Sequence, residues 1–477
     1  MKPYQILVFV IVVMAMLGGL SAVYPDEGVK VWKGFMLDFP TPEKLLNQQK
    51  SEMPDISRIL DDSVISASPD TTMERKRADS LRKIQLQIHY PEGDRTVLYP
   101  FFKVLDAAKH KKVRIMHYGD SQIEGDRMTS YIRNVLQTRF GGNGPGLIPA
   151  VQFVRSLSIN QAVSENWKRY TIFGKKDTTI KHKRYGVLGS FGKFLPASGN
   201  LQDTTITEAW LTISKSHLGY AKTRSYEFCK MFYGYNNQPV LVKMEIDDKT
   251  INSDILWPGT TLKTNSWRFA TTPESFTIRF KGKESPEVYG ISLEGRNGVV
   301  VDNIAMRGSA GTVFSKMDRQ LLRQMYDSLH VKLLIMQFGG NVMPYIKSDK
   351  KSSDYGRWFE SQLRKLKSMI PGVCIIVIGP SDMSVKEQGE YVTYPYLESV
   401  RDAMKQAAFN TGSAFWDMYE AMGGKNSMPA WVEHDPPLAA TDYTHFSQSG
   451  IKKIARWFTE ALMSDYNKYK KINSKTK

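Results

Sequence analysis

A three-layer α/β domain built on a parallel sheet and interrupted by an inserted β-sandwich is the fold class this sequence predicts. Short apolar runs at residues 113–117, 299–306, 333–338, 373–378 and 414–416 alternate with helical patterns. That is the rhythm of a parallel sheet covered on both faces. Between the first and second runs, residues 151 to about 298 change to period two. Several of the runs also end at polar residues, where ligands bind in sheets of this kind.

The elements justify this reading in chain order. Lys2 precedes an apolar run at 6–23, so residues 1–23 read as a signal peptide or an N-terminal membrane anchor. Leu20-Ser21-Ala22 offers a small residue at a cleavage point, although Leu20 suits its position poorly. No cysteine follows the run, which argues against a lipid anchor. Residues 24–95 are polar and punctuated by Pro25, Pro40, Pro42, Pro54, Pro69 and Pro91; apart from a short stretch at 73–87 they read as a linker. The first part of the α/β domain spans 96–150. It holds the run VRIMH (113–117) and then a helical face of Met128, Tyr131, Ile132, Val135, Leu136 and Phe140, stopped by a glycine cluster at 141–146.

In the insertion, 151–298, Val240, Val242, Met244 and Ile246 alternate with polar neighbours, as do Phe276, Ile278 and Phe280. Turns fall at Asn236-Asn237, Asp247-Asp248 and Pro258-Gly259. The α/β rhythm resumes over 299–466. One helix there carries Met317, Leu321, Leu322, Met325 and Leu329 on a single face, and another Ile451, Ile454, Trp457, Phe458 and Leu462. Residues 467–477 read as a basic tail.

Composition narrows the function. At 477 residues and 41% apolar, the chain exceeds one ordinary domain and can build a large core. Its net charge of +17 reads as a solvated basic surface, or as attraction to an anionic membrane or glycan. Nucleic acid is not an expected partner, because zinc-finger spacing, an RRM signature and long basic runs are all missing from the sequence. The two cysteines, Cys229 and Cys374, fall in different units, so no disulfide is expected. No metal-ligand spacing occurs, and no cofactor is implied.

Four signals carry chemistry. Ser121 follows Gly119-Asp120 at a strand end and precedes a helical pattern, where an exposed hydroxyl and free backbone N–H groups would coincide; the bland alternative is a helix cap. Asp442-Tyr443-Thr444-His445 can place a carboxylate behind an imidazole, which then takes and returns a proton. The competing pair His434-Asp435 is adjacent in sequence, so its side chains diverge. Gly308 and Asn341 each follow an apolar run; a glycine N–H and a fixed amide suit an oxyanion hole, although either could be an ordinary loop residue. Glu124 and Asp126 read most simply as compensating a helix dipole, with a role in substrate binding as the alternative, and His117 as a packed strand residue rather than a metal ligand. Trp257, Trp267, Tyr226 and Tyr233 could stack on sugar rings, and core packing explains them equally well.

Taken together, GDS (119–121), Gly308, Gly339-Gly340-Asn341 and D-x-x-H (442–445) resemble the four blocks of the SGNH/GDSL hydrolases. The stretch VRIMHYGDSQIEGDRMTSYIRNVLQTRFGGNGPGLIP, with FWDMYEAMGG (415–424) and DYTHFSQSGIKKIA (442–455), resembles the bacterial peptidoglycan O-acetylesterase branch. The resemblance covers about 100 to 465. It departs at the third block, where Gly-x-Asn-Asp reads Gly-Gly-Asn-Val, and in the long linker.

It implies a flavodoxin-like α/β fold with a carbohydrate-binding-like insertion. It also implies Ser121 as nucleophile, His445 as base, Asp442 as its orienting partner, and an oxyanion hole from Ser121, Gly308 and Asn341. The expected function is a serine esterase removing O-acetyl groups from an envelope glycan such as peptidoglycan. The alternatives are an O-acyltransferase working beside a membrane O-acyltransferase partner, and a non-enzymatic glycan-binding protein. The expected location is the periplasm or cell envelope, with the N-terminal segment either cleaved as a signal peptide or kept as an inner-membrane anchor.

Overall fold

The computed structural model describes residues 3–24, 29–32, 35–37, 54, 56, 86–175, 177–196, 198–199 and 205–474. The chain divides into two compact units. The smaller holds helix α1 (Pro3–Val23) and an antiparallel pair, β1 (Val29–Trp32) with β2 (Phe35–Leu37). Residues Tyr4–Val23 have a mean hydropathy of 2.8 and are long and apolar enough to cross a membrane.

The larger unit is organised by a six-stranded sheet. Its strands are β3 (Ile88–His89), β4 (Lys112–Gly119), β16 (Gly298–Ala305), β17 (Val331–Gln337), β18 (Cys374–Ile378) and β21 (Ala414–Trp416). Their spatial order is β16-β4-β17-β18-β21-β3, and β19 (Ser384–Glu387) with β20 (Glu390–Thr393) forms a separate two-stranded sheet. The first five pair in parallel, and their order is the flavodoxin-like one. These strands are apolar on both faces because helices cover both. Met116 and Tyr118 enter one core with Leu334, Met336, Ile375 and Val377, while Val113 and Ile115 enter the other with Leu333, Ile335, Cys374 and Ile376. Helices α4 (Arg319–Leu329), α5 (Asp349–Met369) and α6 (Leu397–Asn410) pack on the first face; α2 (Tyr99–Asp106), α3 (Thr129–Phe140), α7 (Met418–Met422), α8 (Ser427–Glu433) and α9 (Gln448–Ser474) pack on the second.

Between β4 and β16 the chain builds two antiparallel sheets. One contains β5 (Gly146–Ile148), β7 (Trp167–Thr171), β8 (Ser190–Phe194), β10 (Phe228–Asn236), β13 (Gly259–Arg268) and β15 (Glu287–Glu294). The other contains β6 (Ile159–Val163), β9 (Thr207–Lys215), β11 (Val240–Ile246), β12 (Lys249–Leu256) and β14 (Ser275–Gly282). Alternate residues of both sheets, such as Met231 and Val242, fill one shared core. The opposite face of the first sheet, including Phe191, Phe232 and Tyr289, joins the core of the α/β domain. Cys229 and Cys374 are buried and free.

Three boundaries differ from expectation. The end of the stretch read as linker supplies β3, which closes the sheet antiparallel to β21, with Trp416 Nε1 donating to the Leu86 carbonyl at 3.0 Å. A two-residue strand carries too little pattern to be seen in sequence. The rest of that stretch lies largely outside the described residues. The region read as a basic tail continues α9 through Ser474, where Tyr469 is buried and Lys470 pairs with Asp106 at 3.2 Å. The antiparallel region begins at β5, just before residue 151.

Candidate active site

The site forms where β4 ends. Asp120 Oδ1 accepts the Gln122 N–H at 2.9 Å and so caps a short 3-10 turn, Ser121–Asp126. The expected helix does not start at the serine. Gly125 and Asp126 both take positive φ, which stops the turn, and α3 begins only at Thr129. The free N–H groups of this turn, not the end of a long helix dipole, therefore surround Ser121.

The second component is the loop before α9. Asp442 Oδ1 accepts from the backbone N–H groups of Thr444 at 3.0 Å and His445 at 2.9 Å. This tight turn leaves Oδ2 aimed at the ring, 2.8 Å from His445 Nδ1. The other ring nitrogen, Nε2, lies 2.8 Å from Ser121 Oγ. Hydroxyl, imidazole and carboxylate thus form one hydrogen-bonded line across 324 residues of sequence separation. Partial burial raises the Asp442 pKa, but the bonds from His445 and Thr444 outweigh it and hold the carboxyl below its ordinary range. The group is shallow: the His445 side chain is 36% exposed and that of Asp442 52%.

Asn341 and Gly308 share a groove wall with Ser121, Asp442 and His445. Asn341 Nδ2 donates to Asp120 Oδ2 at 2.9 Å and more weakly to the Ser309 carbonyl at 3.3 Å. Gly308 has φ +75°, a left-handed backbone that suits glycine. Among the described residues its N–H donates no hydrogen bond. All five residues singled out in the sequence are brought together.

Other expectations are settled by contacts. His117 is buried between Thr129 Oγ1 at 2.9 Å and Gln337 Oε1 at 3.0 Å, and burial lowers its pKa to about 4. His434 Nδ1 lies 2.8 Å from the Pro436 carbonyl, not from a carboxylate. Glu124 and Asp126 do not serve a helix dipole. Glu124 pairs with Arg307, and Asp126 with Arg133 and Ser158. Trp267, Tyr226 and Tyr233 are buried in the antiparallel core, whereas Trp257 is exposed.

Sequence reasoning missed two residues that join the halves of the site. Gln122 Nε2 donates to the Thr444 carbonyl at 2.6 Å. The Arg127 guanidinium donates to the carbonyls of Ser121 at 3.2 Å and Phe446 at 3.1 Å. Their partners are backbone atoms, which leave no mark on residue type. Asp120 was legible only as part of a motif; its buried carboxyl, pushed up to about 6 by burial, holds Asn341.

A serine hydrogen-bonded to an imidazole, and the imidazole to a carboxylate, thus lie at the carboxyl end of a parallel sheet, an arrangement suited to acyl transfer through the serine. The chain has the fold of the SGNH/GDSL hydrolase superfamily. A solved structure of a peptidoglycan O-acetylesterase superposes with a TM-score of 0.59 and 20% identity, covering 77% of this chain and 96% of that one. Fainter similarities include a family two carbohydrate esterase from Cellvibrio japonicus (TM-score 0.25, 9% identity, 65% of this chain and 98% of that one). Another is the salicylyl-acyltransferase SsfX3 from a tetracycline biosynthetic pathway (TM-score 0.27, 8% identity, 65% and 98%). Neither a protein-family model nor a curated protein matches the sequence.

Proposed function

We propose that this protein is a serine esterase that removes O-acetyl or similar short acyl groups from a cell-envelope glycan such as peptidoglycan. The observation that carries the reading is the unbroken contact from Ser121 Oγ through His445 to Asp442, each link 2.8 Å. In this reading His445 Nε2 takes the Ser121 proton as Oγ attacks the ester carbonyl. The Ser121 and Gly308 N–H groups and Asn341 Nδ2 bind the oxyanion. Collapse breaks the bond to the sugar oxygen, which receives the proton from His445 and leaves as a hydroxyl. Water, deprotonated by His445, then attacks the acyl-serine; acetate departs and Ser121 recovers its proton. Asp442 holds the ring and balances its charge throughout.

The open groove supports a polymeric substrate, because a shallow triad can reach a group on a long chain. Phe338, Pro344, Tyr345 and Met383 on the other side of Ser121 suit a short acyl group. The two antiparallel sheets fit an inserted carbohydrate-binding-like β-sandwich. The apolar Tyr4–Val23 helix fits a signal sequence or an inner-membrane anchor facing the periplasm. A second reading is transfer of the acyl group to a glycan acceptor beside a membrane O-acyltransferase, which the same helix favours by holding the protein at the membrane.

The test is acetate release from O-acetylated peptidoglycan and other acetylated polysaccharides, with and without an added glycan acceptor. Wild type should release acetate, and Ser121→Ala should fold normally and release almost none. Full turnover by Ser121→Ala would overturn the mechanism. Acyl appearing on the added glycan in place of free acetate would favour transfer.

A further inference from the structure

The groove beside Ser121 adjoins a cavity lined by the first loop of the antiparallel region. Glu124, Gly125, Val154 and Arg307 line both spaces, so the two adjoin. The cavity is lined by Phe153 of this loop and by Arg169 of β7, while Arg155 of the same loop lines the groove. The charges here do not balance. Asp126 is engaged by Arg133, and Asp442 by His445. Glu124 is ion-paired to Arg307 and reaches Arg169 only at longer range.

Arg169 itself binds only neutral groups. It donates to Ser190 Oγ at 3.0 Å and to the Val151 carbonyl at 3.2 Å, and it lies under the Phe153 ring at 4.8 Å. Burial pulls its pKa down to about 10, the mark of a cation short of an anionic partner. Phe153 is 63% exposed, so its outer face is free to meet a ring. Arg155 is exposed and makes no ion pair among the described residues. A fork of guanidinium donors next to an exposed aromatic face suits a carboxylate on a sugar ring.

We infer that this cavity is a subsite for a carboxylate-bearing sugar, with Arg169 binding the carboxylate, Phe153 the ring and Arg155 adding positive charge from the adjoining groove, next to the residue whose ester is cleaved. The inference rests on the esterase reading and narrows it to acidic glycans. Neutral acetylated polysaccharides lack the group that Arg169 needs.

The test is binding by full-length Ser121→Ala protein at physiological salt, so that no ester chemistry is involved. The probes are trigalacturonate and the peptide-free N-acetylglucosamine–N-acetylmuramic acid disaccharide, each beside its carboxyl-reduced form. Short sugars avoid the non-specific polyanion binding expected of a basic protein. At least one carboxylate form should bind about tenfold or more tightly than its reduced form, the scale of one charged hydrogen-bonded contact. Arg169→Gln should remove that preference. Because Arg169 also ties down Val151 and Ser190, Arg155→Gln and Phe153→Ala, both at exposed side chains, are read alongside; each should weaken binding of the carboxylate form.

Equal binding of both forms of both sugars, or a preference untouched by all three substitutions, would overturn the subsite. Turnover of p-nitrophenyl acetate by protein with intact Ser121 is scored separately. Its absence would count against the esterase reading, and the binding result would still decide the subsite.

Discussion

At the residue scale, the site depends on side chains that spend one atom on local structure and keep another for chemistry. Asp442 ties its own turn with Oδ1 and faces the ring with Oδ2. Asn341 is held by Asp120 through a strong contact and by Ser309 through a long one that an oxyanion can replace. Asn341→Ala should therefore lower kcat on the order of a hundredfold or more with little change in KM. A tenfold or smaller loss in steady-state assays would place the main oxyanion donors elsewhere.

Asp120 makes a pH prediction. Its folded pKa, about 6, lies above that of an unfolded carboxyl, so between about pH 4 and 6 the native state binds the extra proton. Stability from this group is present below about pH 4 and is lost as pH rises through about 6. Asp120→Asn removes the titration. Its stability relative to wild type should improve by on the order of 2 kcal/mol from pH 4 to pH 7. Denaturation curves for both proteins at the two pH values check this, and a constant difference would contradict it.

At the element scale, the imidazole is placed by the packing of α9 against the loop that precedes it. A Cβ on Gly450 would sit 1.9 Å from the Leu438 carbonyl oxygen. That carbonyl also accepts the Ser447 N–H at 3.0 Å, and Ala440 N–H donates to the His445 carbonyl at 2.7 Å. Nothing there can yield without moving the histidine loop. Gly450→Ala should cost about 1–3 kcal/mol in chemical denaturation and also lower kcat. Unchanged stability would mean that α9 can shift freely. Tyr443, which takes positive φ, stacks on Tyr391 at 3.5 Å and steadies the same loop from its other side.

At the scale of the whole molecule, the antiparallel region is part of the α/β core and not an appendage. Its first sheet is buried on both faces, and β15 is buried throughout. Arg114 of β4 binds Asp302 of β16, and also Ser292 and Glu294 of β15, with its guanidinium fully buried. Removing residues 151–297 would uncover apolar surface and take away two of the three partners of the Arg114 guanidinium. The expected outcome is insoluble protein, or protein without a cooperative unfolding transition by circular dichroism. A soluble, cooperatively folding remainder would show the two parts to be separable.

Much of this architecture was legible in the chain itself. The apolar runs, the period-two region and its turns, and the two long amphipathic helices fall where the described strands and helices lie, because burial on one or both faces imposes a period on residue type. The candidate triad and oxyanion residues were legible because proton transfer and oxyanion binding demand particular functional groups at strand ends. Contacts that leave no periodic or compositional trace became visible only in three dimensions. These are the two-residue strand β3, the early break of the turn after Ser121, the backbone carbonyls held by Gln122 and Arg127, and the unbalanced arginines beside the groove. Sequence alone thus determined which groups the protein owns and which segments are strand or helix. Tertiary structure alone decided which of those groups meet, because hydrogen bonds between residues more than 300 positions apart depend on packing, and packing is a property of the folded chain as a whole.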